Sequence, residues 1–126
     1  MTTEQARGLA EEFFELSKAL GKYRFAHWEE LRRDDRRSIE ALEWSLLRAS
    51  SDFTATAIEI ALDDVGPVLK RVTRATRAMK TEIKRAQRVG KVLGIAAAAV
   101  KLTAAIVTGS PSAIVAAIDR ALKSSS

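Results

Sequence analysis

Apolar and small residues recur at alternating intervals of three and four along Leu62, Val65, Leu69, Val72, Thr76, Met79, Ile83, Ala86, Gly90, Leu93, Ala97, Val100, Ala104 and Val107. A stripe with that step stays on one face of an α-helix and marks a coiled-coil or bundle seam. Strand alternation has a period of two, so the same residues do not line one face of a sheet. The seam predicts one long helix over about 67–108, roughly 60 Å at 1.5 Å per residue. It is kinked or restarted at Gly66-Pro67, because proline removes a helical N–H and crowds the preceding turn. Two prolines and six glycines leave little for turn-rich β architecture. The expected fold is all-α, an elongated helical bundle of three to four helices in a single domain, 1–126. Its parts are an acidic helical half over 1–66, the basic-then-apolar helix over 67–108 and a short apolar helix over 112–123.

The acidic half reads as two further helices. Thr2 and Gln5 have capping-box spacing, Leu9, Phe13, Leu16 and Leu20 follow at helical intervals, and Gly21 is placed to end the first helix. A second helix starts near Lys22–Phe25, with Phe25, Trp28 and Leu31 on one face. The run Arg32–Arg37 is a solvated helical face or a short break. Ile39, Leu42, Leu46, Ala49 and Phe53 then hold one phase through Ser50-Ser51-Asp52. Gly109-Ser110-Pro111-Ser112 stops the long helix. Ala113–Leu122 forms the last one, and Ser124–Ser126 reads as a frayed tail.

Charge is segregated along the chain. Residues 1–66 hold 14 acids and 9 bases, whereas residues 67–126 hold 2 acids and 12 bases. With the seam at heptad positions a and d, the basic residues Lys70, Arg71, Arg74, Arg77, Lys84, Arg85, Arg88 and Lys91 cover the outer face, where an anionic surface would meet them. After Lys91 the outer positions become apolar at Val92, Ile95, Leu102 and Ile106. With Ile114, Val115 and Ile118 they make an outer face suited to lipid or a partner. Gly90, Gly94 and Ala98 have the spacing for close helix–helix packing. Gly66, Pro67, Gly109 and Pro111 are the expected hinges. Val92–Thr108 gives about 25 Å of helix, short of a roughly 30 Å hydrocarbon core. Its large aliphatics favour insertion by roughly 2–4 kcal/mol, and Lys101 opposes it by about 2.5–3.5 kcal/mol. Any insertion would therefore be conditional.

The run Lys91-Val92-Leu93-Gly94-Ile95-Ala96-Ala97-Ala98-Ala99-Val100, followed by Ala104–Thr108 and Gly109-Ser110-Pro111-Ser112-Ala113-Ile114, resembles the hydrophobic hairpin of α-helical pore-forming toxins and type III secretion translocators. The likeness covers residues about 90–120. It implies soluble helices followed by an Ala/Gly-rich apolar hairpin that enters lipid. The chain differs in its shortness, in Lys101 and in a second arm of about 11 residues.

No enzyme chemistry stands out. Cysteine is absent, which removes thiolate nucleophiles and Cys-based zinc sites. The single histidine, His27, shares a helix face only with Glu30, too few groups for a metal or catalytic site. There is no phosphate-binding glycine loop and no nucleophile elbow. No cofactor is expected. The polar start Met1–Gln5 is no secretory signal, so the expected location is cytoplasmic or non-classically secreted, with membrane association. The leading expectation is a non-enzymatic membrane-active or membrane-peripheral protein, its basic face on anionic headgroups and its apolar hairpin conditionally buried. The alternative is a soluble helical-bundle interaction, scaffold or inhibitor module whose apolar helix is its core. Self-association is expected because the long helix outreaches the first, and the partner is an anionic membrane or a protein. Nucleic acid is the least favoured partner, since residues 67–126 offer no aromatic to stack bases and the chain has no Asn.

Overall fold

The computed structural model describes residues 3–55 and 65–125, and these are almost entirely helical, with no strand among them. Five helices follow in order: α1 (Thr3–Ala26), α2 (Arg33–Ala55), α3 (Val65–Arg85), α4 (Val89–Thr108) and α5 (Pro111–Ser125). The all-α class holds. Among the described residues the helix count is five, not three to four.

α1 and α2 form an antiparallel hairpin. Ser50 Oγ donates to the Ala10 carbonyl at 2.7 Å, Ser17 Oγ to the Glu43 carbonyl at 3.1 Å and Arg24 Nε to Glu43 Oε2 at 2.6 Å. α3 runs along α1 in the same direction, with Thr76 Oγ1 3.1 Å from Glu12 Oε2 and Lys80 Nζ 3.3 Å from Glu15 Oε2. α4 packs on α2 and α3. α5 folds back on α4 and reaches α3, where Arg71 Nη2 lies 3.5 Å from Asp119 Oδ1. One core unites them, with Phe13, Leu20, Leu46, Phe53, Met79, Ile83, Ile95, Leu102, Ile106 and Ile114 fully buried.

Several expectations are corrected. Helix α1 does not end at Gly21 but continues to Ala26. A Cβ at Gly21 would stand 3.0 Å from Glu43 Oε1, so glycine there serves close approach of α2 rather than helix termination. The chain turns instead over residues 27–32, and the basic run starts α2 at Arg33. Helix α2 runs unbroken through Ser50-Ser51-Asp52, as the apolar phase requires. Gly66 and Pro67 fall in the first turn of α3, where a missing N–H costs nothing. Leu62 and the capping residue Thr2 lie outside the described residues. The tail is helical through Ser125, whose buried Oγ donates to the Ala121 carbonyl at 2.8 Å.

The largest correction is the long helix. It breaks at Ala86-Gln87-Arg88, where Arg88 is extended (φ −120°, ψ 131°). No glycine or proline marks the spot. The cause is tertiary. Breaking the helix gives up a few backbone hydrogen bonds, each worth about 1 kcal/mol net. Turning α4 back lets Val92, Ile95, Leu102 and Ile106 be fully buried, at roughly 1.5–3 kcal/mol each. Burial wins, and a 60 Å rod does not form. At the other end Gly109 adopts φ 70° and its N–H donates to the Ile106 carbonyl at 3.1 Å, an αL cap. Pro111 opens α5.

Candidate functional site

The residues expected to face lipid are the core. Val92, Ile95, Leu102, Ile106, Ile114 and Ile118 are all buried, and of that set only Val115 is exposed. α4 is long and apolar enough to cross a membrane by length and composition, with mean hydropathy 1.7. Most of its large side chains nonetheless point inward, and apart from Val107 its exposed positions are small or polar: Gly90, Lys91, Gly94, Lys101, Ala104 and Thr108. Gly90 and Gly94 do not pack closely on another helix, since a Cβ at either meets nothing within 4 Å. Ala98 is buried.

Two surfaces remain. The first is aromatic and lies on the α1–α2 hairpin. Phe25 is 68% exposed, Trp44 60%, Trp28 41% and Phe14 40%, while Phe13, Tyr23 and Phe53 are buried. At the turn end of α1 the rings of Phe25 and Trp28 stack, centroids 6.0 Å apart and planes 13° from parallel. The Arg24 guanidinium lies 4.7 Å from the Phe25 ring and 5.9 Å from Trp28, and that of Arg36 lies 4.6 Å from Trp28. Arg24 is fixed from behind by Glu43, both side chains being about 85% removed from solvent. The Glu43 hydrogen bond holds the guanidinium more firmly protonated than usual, against the opposing effect of burial. Arg36 Nε is buried without a hydrogen-bond partner among the described residues; its guanidinium has a ring face in place of an acceptor. An open cleft of about 300 Å³ between Trp28, Arg33, Arg36, Arg37 and Glu40 adjoins this corner.

His27 belongs to the same corner. Its ring stacks on Tyr23 with centroids 4.2 Å apart, and Nδ1 lies 3.2 Å from Glu30 Oε2. Burial, then the nearby Glu30 and Asp35 carboxylates, pushes the Tyr23 phenol up. Among the described residues no three His, Asp or Glu side chains converge as a metal site would need.

The second surface is the outer face of α3 and the break that follows it. Lys70, Arg71, Arg74, Arg77, Lys84 and Arg85 on α3, Arg88 in the break and Lys91 on α4 are all exposed, but they are not equivalent. The cations on the flanks meet acids of neighbouring helices: Arg71 with Asp119, Lys80 with Glu15 and Lys91 of α4 with Glu82 of α3; Arg77, further out, approaches Glu12 at 3.6 Å. Lys70, Arg74, Lys84, Arg85 and Arg88 have no acidic partner among the described residues. The predicted hinges Gly66, Pro67, Gly109 and Pro111 sit at the ends of α3, α4 and α5 as helix termini.

The aromatic corner was the part that sequence reasoning missed. Phe25 and Trp28 are legible as a pair on one face, but elsewhere on the hairpin Phe14 follows buried Phe13 and Trp44 lies two residues before buried Leu46, and only the packing shows which side they take. The chain matches no protein-family model, no curated protein and no solved structure.

Proposed function

We propose that this protein is a non-enzymatic helical interaction module that docks a protein partner through the aromatic–arginine face of its α1–α2 hairpin. One observation carries the reading: four large aromatics stand exposed on one hairpin while the apolar helix expected to meet lipid lines the core. Leaving these rings 40–68% exposed forgoes part of the roughly 1.5–3 kcal/mol that full burial of each would return. Trp, Tyr and Arg are the residues enriched in binding hot spots, where rigid rings fill partner pockets and desolvated guanidinium groups bond across the interface. Clusters of this kind mark interaction sites. The Arg24–Glu43 pair holds the corner in one geometry, which lowers the entropy a partner must overcome.

Two measurements test the reading. Trp44→Ala with Phe25→Ala should abolish capture of a partner that the wild-type protein retains, with an unchanged thermal melt. Flotation with anionic vesicles should leave the protein in solution at high salt. Salt-resistant flotation that survives the double substitution would instead support the hairpin reading, in which residues 90–120 leave the core for lipid.

A further inference from the structure

The cations of α3 divide by position. Those on its flanks lie against acids of α1 and α5, whereas Lys70, Arg74, Lys84 and Arg85 line the crest. Arg77 is on the crest too; its side chain is 72% exposed despite its 3.6 Å approach to Glu12. From Lys70 to Arg85 the crest is one helix wide and about 22 Å long. Arg88, also exposed, follows the helix end, and among the described residues no acid sits on the outer side of the crest. Beside it an open groove of about 490 Å³ runs between Leu69, Lys70, Thr73, Arg74 and Arg77.

The width of this ridge identifies its partner. A flat anionic bilayer would be met by the whole face, including Glu12, Glu15 and Asp119 on either rim, and the crest carries no apolar wedge to enter lipid. A linear polyanion needs only the ridge. Guanidinium groups bond phosphate oxygens in bidentate fashion, and a duplex presents one charge per about 1.7 Å. We propose that the crest of α3 binds the phosphodiester backbone of nucleic acid without reading sequence. The lack of aromatics and Asn in this half argues against base readout, and backbone binding requires neither.

The test uses the whole protein with a labelled random-sequence DNA duplex of about 20 base pairs, the matching single strand, and phosphatidylserine vesicles, each across a salt series. Four to five phosphate contacts predict log K falling with log salt at a slope near −4 for duplex and near −3 for single strand. Binding of either with such a slope supports the proposal. Arg74→Ala with Arg85→Ala should lower the duplex slope by about 2, while Arg7→Ala with Arg48→Ala, which removes the same charge from α1 and α2, should leave it nearly unchanged. Both pairs are exposed, and circular dichroism checks that each variant folds. No binding to either nucleic acid at about 50 mM salt would overturn the proposal, as would equal loss in both variants, or vesicle binding alone that depends on Arg74 and Arg85. None of these outcomes depends on the aromatic face of α1–α2.

Discussion

The two hairpins of this protein divide large from small side chains in opposite ways. In α4–α5, a segment apolar nearly all round, most large aliphatics point inward and Gly, Ala and Lys101 point outward, with Val107, Val115 and Leu122 the exposed exceptions, so size separates inside from outside better than polarity does. In α1–α2, polarity separates the faces well, yet four large aromatics stand on the wet side. The first arrangement needs only packing to explain it. The second runs against packing, and that is why function is sought there.

The sharpest way to break this comparison is to truncate side chains on each hairpin. Leu102→Ala empties a fully buried position in α4 and should cost about 2–5 kcal/mol in urea or thermal unfolding. Val107→Ala, one residue beyond Ile106 but 56% exposed, should cost less than about 1 kcal/mol. The reverse order would mean that α4 sits in the other rotational phase. Trp44→Ala, despite removing a larger side chain than Leu102→Ala, should stay within about 0.5 kcal/mol.

That phase is where sequence and structure part. Along α3 the seam is right: Val72, Thr76, Met79, Ile83 and Ala86 are all buried. Beyond Lys91 two stripes with the same three–four step run side by side. One is Leu93, Ala97, Val100, Ala104 and Val107, the continuation of the α3 seam; the other is Val92, Ile95, Ala99, Leu102 and Ile106. A continuous helix would bury the first. The break at Ala86–Arg88 rotates the choice by one residue and buries the second, which carries the greater volume. Nothing local announces the break, so its legibility depended on weighing the two stripes by size. The Gly109-Pro111 turn, in contrast, is local chemistry and was readable at once. The basic face was readable as a face, but its division into paired flanks and a crest where, among the described residues, only Arg77 meets an acid needs Glu12, Glu15 and Asp119, which arrive from distant parts of the chain.

Next in size is the polar clamp of the first hairpin. Arg24→Ala should cost about 1–3 kcal/mol, because it strands a mostly buried Glu43 carboxylate. Gly21→Ala probes the same clamp from the other side. Alanine gains nearly 1 kcal/mol of helix propensity, but its Cβ would press on Glu43 Oε1 and displace it from Arg24, so the net change should be close to zero. Gly8, on the same helix with nothing within 4 Å of a Cβ, should give the full gain when changed to alanine. Equal stabilisation at both sites would show that the clamp tolerates the shift and does not hold the corner.

The smallest effect concerns how the first hairpin is tied to α3. The Lys80 ammonium donates to Glu15, with Lys18 adding a second positive charge, and together they hold the Glu15 carboxyl below its ordinary value. A depressed folded-state pKa stabilises the fold above the unfolded carboxylate pKa, and that contribution fades as pH falls through the folded value. Lys80→Met should move the Glu15 titration, followed by carboxyl NMR, back toward the ordinary range. It should also flatten the acid limb of stability below about pH 5. Lys18→Met should produce a smaller shift in the same direction, since the Lys80 hydrogen bond is the larger cause. If the two substitutions rank the other way, Glu15 is held by its own helix, and the ion-pair tie between the first hairpin and α3 is weaker there than the 3.3 Å contact implies.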